Sequence, residues 1–498
     1  MFRQEETTVI DKAQLYIDGQ WTDGAEGRRM VVVNPATEEE FATAAVGSAA
    51  DCDRAIAAAR RAFGSGPWPA MSRPERSEML GRFAVELRAR VDALAEAVTA
   101  ETGAPSASVR AVHLLAPLGH LDHYVEQARQ PDTTSLPLQV NPRPDGSSWL
   151  GGSVLVREPV GVVSAITAYN FPFHLNIAKL GPALACGNTV VLKPSPNTPL
   201  TAALMAEAAE AAGFPPGVVN VVNGGADVGA LMCTDPRVDL VSFTGSEAVG
   251  AAVSAQAAPT IKRVLLELGG KSAMIVRADA DLDAALAMGL GSVVTQSGQG
   301  CALTTRHLVH ADIYDDYVAG LADRVRAIQV GDPTDPSTAM GPLISAVQRE
   351  KVEGFIGDAT AAGSRLVAGG GRPADLDKGF FVEPTVFADV DNSSRLAQEE
   401  VFGPVAAVMS FRDDDEAVAL ANDSNYGLGG AIFSADAGRA FEMARRIRTG
   451  QVHINGGSGA SPGWDPFGGY KRSGLGRELG DAGIADYSEI KTIKYHAG

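Results

Sequence analysis

From residue 160 onward, short apolar runs rich in β-branched residues alternate with alanine-rich segments that have helical spacing. Such alternation favours an α/β architecture, in which helices connect parallel strands. The first series starts with buried strands in VGVVSAITA (160–168) and NTVVLK (188–193), separated by a helical pattern over 175–186. The same patterns predict further strands at 218–222, 240–243, 262–268, 273–276, 306–310, 405–411, 428–433 and 451–454, and helices at 199–212, 281–295 and 313–329.

The strands and helices fall into two successive series, one before and one after residue 270. Two series predict two doubly wound α/β domains with a ligand-binding cleft between them. The segment before residue 160 differs, with a hairpin in LYIDGQW (15–21) and helices at 51–63 and 73–103. A stretch rich in Pro, Ser and Gly after Pro131 predicts an extended arm.

Charge and cysteine content narrow the function classes. Lys and Arg total 42 against 60 Asp and Glu, a net charge of −18, which disfavours binding to nucleic acid or to anionic membrane surfaces. The four cysteines, Cys52, Cys186, Cys233 and Cys301, are too scattered for a disulfide framework and form no CxxC pair. The first ten residues contain acids and no apolar core, so we expect a soluble, cytoplasmic protein without signal peptide or membrane span.

Two sequence features suggest a nucleotide site. No G-x-G-x-x-G lies between a predicted strand and helix, but FTGS (243–246) ends a strand and opens a helix at Gly245 and Ser246, where free N–H groups can hold a pyrophosphate. Lys193 ends a buried strand and would face the crevice at the carboxyl edge of the sheet. Each feature has an ordinary alternative, since α/β proteins contain several such turns and a strand-end lysine is often simply solvated.

Three residues are candidates for chemistry. Cys301 follows SGQG, whose small residues allow close backbone approach and leave the cysteine N–H free as an oxyanion donor. Asn170 offers an amide just past a strand, and Glu267 ends an apolar strand, where burial raises a carboxyl pKa. Taken singly, an inert thiol, a turn asparagine and a solvated glutamate are the simpler interpretations. His120 and His123 lie in a predicted helix, no metal-ligand spacing is present, and we expect no metal.

Seven motifs together resemble the aldehyde dehydrogenase superfamily in order and spacing. The similarity extends from LYIDGQW (15–21) to YSEIKTIKY (487–495) and therefore covers nearly the whole chain. The motifs are YNFP (169–172), KPS (193–195), FTGS (243–246), LELGGK (266–271), GQGC (298–301), EEVFGPV (399–405) and PFGGYKRSGLGRELG (466–480).

The resemblance implies a mechanism in which Cys301 attacks the aldehyde carbon. Its own N–H and the Asn170 amide would hold the oxyanion, and hydride loss to a nicotinamide would leave a thioester. Glu267 would activate the water that hydrolyses the thioester to a carboxylic acid. Lys179 and Glu478 would relay the proton outward.

The resemblance also implies a dinucleotide site. Lys193 would bind the adenosine ribose, Gly229 and Ser246 would lie by the adenine and pyrophosphate, and Glu400 would hold the nicotinamide ribose. The full set of expected cofactor contacts is Ile166, Thr167, Lys193, Ser195, Gly229, Gly245, Ser246, Leu268, Glu400 and Phe402. NAD is the expected cofactor. NADP is also possible, because Pro196 stands where NAD-preferring relatives have a glutamate that binds the 2′-hydroxyl of the adenosine ribose.

Small residues at positions that are bulky in several relatives predict a wide substrate tunnel. The expected tunnel residues are Leu175, Ala178, Val294, Thr295 and Trp464, the last in a loop (455–464) of otherwise small side chains. A long or branched apolar aldehyde is the expected substrate, and the absence of Arg from this loop disfavours a dicarboxylic semialdehyde. Two alternatives stay open, a CoA-acylating aldehyde dehydrogenase and a non-redox cysteine-dependent acyl transferase or hydrolase.

The resemblance places domain boundaries on the chain. Residues 1–130 and 154–267 would form the dinucleotide-binding domain and residues 268–482 the catalytic domain. Residues 131–153 and 483–498 would form a β-strand arm that joins subunits into a homodimer or homotetramer.

Overall fold

Two large, mainly parallel β-sheets organise the chain in the computed structural model, which describes residues 10–457 and 463–497. Helices cover the faces of both sheets, as the alternating sequence pattern predicts. The central strands of both sheets are mostly apolar and buried, because helices pack on both sides of them. Among the described residues, no helix is both long and apolar enough to cross a membrane.

The first sheet has eight strands, and its five central strands are parallel. Val162–Ile166 pairs with Thr189–Lys193 on one side and with Leu240–Thr244 on the other. The chain runs from Val162–Ile166 to Thr189–Lys193 on one side, and from Leu240–Thr244 to Arg263–Glu267 on the other. The two connections therefore turn in opposite directions and leave a crevice at the carboxyl edge, the usual ligand site of such sheets. The spatial order is Gly474–Leu475, Arg263–Glu267, Leu240–Thr244, Val162–Ile166, Thr189–Lys193, Val219–Val221, Leu15–Ile17 and Gln20–Thr22.

The second sheet has seven strands, of which only the edge strand Arg365–Ala368 runs antiparallel. The predicted strands at 273–276, 306–310 and 405–411 occupy its centre. The spatial order is Arg365–Ala368, Thr385–Ala388, Val405–Phe411, Arg306–His310, Ala273–Val276, Gly430–Phe433 and His453–Ile454.

The predicted arm is a separate antiparallel sheet. Its long strand Ser148–Pro159 pairs along ten residues with Ser488–Ala497 and also binds Thr133–Ser135 and Gln139–Pro142. The strand continues to Pro159, past the predicted arm boundary at residue 153. Smaller sheets join Ile10–Ala13, Glu40–Ala45 and Arg29–Val33, and Tyr426–Gly427 with Tyr470–Lys471.

Helix boundaries follow local signals where those exist. The helix Pro199–Ala212 begins after Thr198 and ends at Gly213, which has the left-handed φ of 85° that glycine adopts freely. The other main helices are Ala49–Gly64, Pro67–Ala70, Arg73–Ala89, Val91–Thr102, Ala116–Gln127, Pro172–Cys186, Ala226–Thr234, Glu247–Ala257, Leu282–Val294, Tyr314–Arg326, Ala346–Ala361, Arg395–Gln398, Asp414–Asn422, Ala437–Ala444 and Gly480–Asp486. Shorter helical turns are Ser106–Ser108, Ala258–Thr260, Thr295–Gly298 and Ala311–Ile313, and Val109–Leu115 is a π-helical turn.

Two further features of the fold were not expected from the sequence. The single helix expected at 73–103 is two helices that meet at Arg90, whose φ of −105° and ψ of 12° break the helical path. No glycine or proline lies at this break, so the sequence pattern gave no sign that the helix ends there. The strand Gly474–Leu475 pairs with Arg263–Glu267 of the first sheet, although it lies within the segment assigned to the catalytic domain.

Candidate active site

A cavity of about 490 Å³ opens at the carboxyl edge of the first sheet and is also lined by residues that connect strands of the second sheet, including Cys301. It brings together Asn170, Glu267, Cys301 and Glu478, four of the five residues expected to carry the chemistry. These residues are far apart in the chain and meet because strand ends and the loops after them converge at this crevice.

The loop before Cys301 has a constrained backbone. Gln296 and Ser297 adopt φ values of 48° and 54°, which are unfavourable for residues with a side chain. Ser297 Oγ donates to the Gly341 carbonyl at 2.7 Å, and Gln299 Oε1 accepts the Ile344 N–H at 3.1 Å. These contacts from the surrounding structure hold the strained loop and with it the position of Cys301.

Cys301 lies partly exposed in the cavity wall. Burial raises the pKa of its thiol, and the nearby carboxyl groups of Glu400 and Glu267 raise that pKa further. The resting form is therefore the thiol, and a base must remove its proton before the sulfur can act as a nucleophile.

Asn170 is buried beside the Cys301 loop. Its Nδ2 donates to the Gln299 carbonyl oxygen at 2.9 Å, which fixes the amide two residues upstream of the cysteine. The amide group also lines the cavity. An N–H of this side chain can thus reach an oxyanion formed next to the sulfur.

Glu267 ends the strand Arg263–Glu267 with its carboxyl group almost fully buried. Neither of its carboxyl oxygens has a hydrogen-bond partner among the described residues. Burial, reinforced by the charge of Glu478, raises the Glu267 pKa well above its usual value. A Cβ built on Gly468 would lie 2.7 Å from Glu267 Oε1, so the glycine leaves the space that this carboxyl group occupies.

Lys179 forms a buried ion pair with Glu478. Its Nζ lies 2.6 Å from Glu478 Oε1 and donates to Ser242 Oγ at 3.0 Å, and the Tyr487 hydroxyl donates to the same Ser242 oxygen at 2.9 Å. Glu478 lines the cavity together with Glu267. A chain of polar groups therefore runs from the cavity through Glu478 to the buried Lys179.

A comparison with protein families matches residues 21–493 to the model of the aldehyde dehydrogenase family. The chain belongs to this family. It is 43% identical to a 3-succinoylsemialdehyde-pyridine dehydrogenase of a Pseudomonas species, covering 98% of this chain and 99% of the relative. It is 42% identical to the geranial dehydrogenase of Castellaniella defragrans, and the similarity covers 97% of this chain and 99% of that relative.

A solved aldehyde dehydrogenase has the same fold. Aldehyde dehydrogenase C of Pseudomonas syringae, crystallised as a cysteine-to-alanine variant with NAD⁺ and octanal, superposes with a TM-score of 0.91 at 41% identity. The similarity covers 97% of this chain and 96% of that chain. The doubly wound fold expected from the sequence is therefore confirmed for this aldehyde dehydrogenase.

The expected dinucleotide residues of this aldehyde dehydrogenase lie along the crevice. A Cβ built on Gly229 would lie 3.5 Å from Lys193 Cε and 3.9 Å from Ile166 Cδ1, so the missing side chain leaves room beside the lysine. Lys193 Nζ donates to the Gly224 carbonyl at 2.9 Å, and burial lowers its pKa to about 8. Gly245, Ser246 and Leu268 line the cavity, and Thr167 and Ser195 follow the adjoining strands.

Glu400 and Phe402 lie on the cavity wall near Cys301. Glu400 Oε1 accepts the Gly270 N–H at 2.9 Å, and burial raises the Glu400 pKa to about 7. The crevice thus offers glycines that leave space, the buried Lys193, and the Glu400 carboxyl group, which can bind ribose hydroxyls. These groups fit a dinucleotide bound at the carboxyl edge of the first sheet.

The structure places one of the five expected tunnel residues on the cavity wall. Leu175 lines the cavity, whereas Ala178, one turn further along the same helix, is buried without lining it. Val294 and Thr295 sit at the end of their helix and do not line the cavity either. Trp464 is 55% exposed, and its ring packs against His123 at 4.8 Å rather than against the cavity.

Several wall residues were not expected from the sequence. Gln348 Nε2 donates to the Phe402 carbonyl at 2.7 Å and so fixes Phe402, whose φ is 57°. His120 and His174 also line the cavity, and nothing in their sequence neighbourhood indicated this. Within residues 10–457 and 463–497, no three His, Cys, Asp or Glu side chains cluster as a metal site would require.

Proposed function

We propose that this aldehyde dehydrogenase oxidises an uncharged, mostly apolar aldehyde to the carboxylic acid with NAD as the oxidant. The observation that carries the proposal is the single cavity in which Cys301, Asn170 and Glu267 meet. A thiol, an amide N–H donor and an unpaired buried carboxyl group are the three parts that oxidation through a thioester requires.

The reaction begins at Cys301. Its sulfur loses its proton to solvent that reaches the partly exposed thiol and then attacks the aldehyde carbon, and the carbonyl oxygen becomes an oxyanion. The Cys301 N–H and Asn170 Nδ2, already held beside the loop by its bond to Gln299, stabilise this charge. When bound, NAD supplies the acceptor for the hydride that the thiohemiacetal carbon loses, which leaves a thioester on Cys301.

Glu267 then acts as the general base. Burial raises its pKa well above the usual value, which makes it a stronger base than a solvated carboxylate, and its oxygens have no partner among the described residues, so they are available to a water molecule. The activated water attacks the thioester carbon, the C–S bond breaks, and the carboxylic acid leaves with Cys301 restored. Glu478 and Lys179, paired at 2.6 Å, provide a path for the proton away from Glu267.

The choice of NAD has two supports. The related aldehyde dehydrogenase C was crystallised with NAD⁺, and the cradle formed by Gly229, Lys193 and Ile166 fits the adenosine end of a dinucleotide. NADP use remains part of the proposal, because Pro196 provides no carboxylate to repel a 2′-phosphate.

An apolar substrate is supported by the cavity and by the relatives. The cavity wall includes the apolar side chains of Val112, Ala116, Phe171, Leu175 and Phe467. One relative is named for geranial, and another was crystallised with octanal, both apolar aldehydes.

The test is NADH absorbance with straight-chain and branched aldehydes. Wild type is expected to reduce NAD, Cys301→Ala to show no turnover, and Glu267→Gln to release one burst of NADH and then stop. Absence of turnover with every aldehyde, or turnover by Cys301→Ala, would refute the proposal. A requirement for added CoA would instead favour the CoA-acylating alternative, and binding of neither NAD nor NADP would favour the non-redox one.

We also propose that the arm joins subunits into a homodimer or homotetramer. It exposes the apolar side chains of Leu138, Val140, Ile490 and Ile493, which a partner subunit would cover. The catalytic thiol requires reducing conditions, and all four cysteines are free, so we propose a cytoplasmic location. Sedimentation of wild type and of a chain with charged residues at these four positions tests the assembly.

A further inference from the structure

Two histidines on the cavity wall have no part in the proposed mechanism. His120 comes from the helix Ala116–Gln127 and His174 from Pro172–Cys186. Their rings lie nearly perpendicular, with centroids 5.1 Å apart. We call them the histidine pair.

The histidine pair lacks the hydrogen bonds that buried imidazoles normally make. Neither ring bonds to another residue in the described part of the chain, and His120 Nδ1 is buried without a partner. His307 shows the contrast, because its Nδ1 lies 3.0 Å from the Tyr317 hydroxyl and its Nε2 lies 3.1 Å from Ser292 Oγ. His113 Nδ1 and His123 Nε2 are also buried without a partner, but neither of these two histidines lines the cavity. The histidine pair does line it, so a bound ligand can use the hydrogen-bonding capacity that the pair leaves unused.

Both rings of the histidine pair are uncharged at neutral pH. Burial lowers the pKa of His174 to about 4, and burial together with His174 and His123 lowers the pKa of His120 to about 4. Each neutral imidazole presents one N–H donor and one nitrogen acceptor. The apolar side chains of Val112 and Phe171 line the same cavity as the histidine pair.

We propose that the histidine pair binds a hydroxyl group on the body of the aldehyde, an inference that rests on the function proposed above. A hydroxyl oxygen can accept the N–H of one ring and donate its proton to the free nitrogen of the other. Rings this close can both reach one oxygen at ordinary hydrogen-bond lengths of about 2.7–3.2 Å. The substrate class is therefore a hydroxyaldehyde whose two oxygen functions are separated by an apolar spacer.

The geometry also argues against charged substrates. A carboxylate only accepts hydrogen bonds and would need a cation, and an ammonium group only donates them. Protonating a ring of the histidine pair to provide that cation opposes the burial that keeps both rings neutral.

The test compares kcat/KM for ω-hydroxyalkanals with that for alkanals of the same number of heavy atoms, over a series of chain lengths. We expect wild type to prefer the hydroxyaldehyde by about 10-fold or more at one length, since a site built to bond a hydroxyl discriminates strongly. His120→Phe and His174→Phe keep an aromatic ring without the nitrogens, and each should reduce the preference to about 1. Calorimetric titration with an alkanediol against the matching alkanol should show the same loss without any turnover.

The matched control is His113→Phe. His113, in the preceding turn Val109–Leu115, is a buried imidazole whose ring centroid lies 4.6 Å from that of Phe171 and whose Nδ1 also lacks a partner. It does not line the cavity, so its replacement should leave the preference intact. Melting temperatures identify variants that fail to fold, and the diol titration is then repeated on His120→Gln and His174→Gln. A wild type without preference at any length, or one whose preference survives both Phe variants, overturns the inference alone. Absence of NADH from every aldehyde overturns the proposed function as well.

Discussion

Replacement of Lys179 by methionine should destabilise the protein strongly, because it leaves a buried carboxylate without its cation. The Lys179 side chain is 0% exposed and that of Glu478 is 3% exposed. Removing one partner of a fully buried pair costs about 3–5 kcal/mol. At about 2–4 °C per kcal/mol for domains of this size, the melting temperature should fall by about 6–20 °C.

The double variant Lys179→Met/Glu478→Gln removes both charges and should recover most of this loss. Arg61→Met is the matched control, since Arg61 and Asp18 pair at 2.7 Å with side chains 58% and 42% exposed. Its effect should stay within about 1 kcal/mol. Scanning calorimetry at one fixed scan rate measures all three, because a chain of this size can unfold irreversibly.

The same substitutions should shift the pH dependence of catalysis in opposite directions. The Lys179 charge lowers the Glu267 pKa and the Glu478 charge raises it. Lys179→Met should therefore raise the Glu267 pKa and move the acidic limb of the kcat profile to higher pH, whereas Glu478→Gln should move it to lower pH. A Lys179→Met enzyme as stable as wild type, or acidic limbs that move together, would refute this account of the ion pair.

Three further predictions concern other parts of the molecule. Gly229→Leu should weaken NAD binding in calorimetry about 10-fold or more, because its Cβ would already lie 3.5 Å from Lys193 Cε and the rest of the side chain would fill the cofactor space. The rate of Cys301 alkylation is the control for an intact cavity and should not change. Glu101→Ala should lower stability by about 1–3 kcal/mol in thermal melts, since the buried Glu101 carboxyl group accepts N–H bonds at the start of Pro199–Ala212. Gly468→Ala should slow thioester hydrolysis more than the NADH burst in rapid-mixing experiments, because its Cβ would crowd the base carboxyl group at 2.7 Å.

Local chemistry made much of the fold predictable. Pro199 and Gly213 are helix-start and helix-stop signals, and the helix begins and ends at them, although the Thr198 side chain makes no capping hydrogen bond. Asn170 and Glu267 could be grouped in advance because each lies at or just past a strand end, and strand ends of this topology meet at one edge. The family resemblance supplied the roles that spacing alone left open.

The substrate wall was less predictable, because it depends on how helices pack. Which side of a helix faces a cavity is decided by its neighbours, so Leu175 reaches the wall while Ala178 on the same helix does not. His120 and His174 meet only through the contact of two helices, and no pattern within either helix reveals that contact. The break at Arg90 likewise has no local residue signal.

The return of the chain to the first sheet bears on the position of Glu267. The second sheet is built entirely between Glu267 and Gly474, and these two residues are paired neighbours across adjacent strands. The chain thus leaves the first sheet and returns to it on two adjacent strands. The proposed general base, Glu267, therefore lies where the chain leaves the first sheet for the second, and its pairing with Gly474 ties it to the strand by which the chain returns.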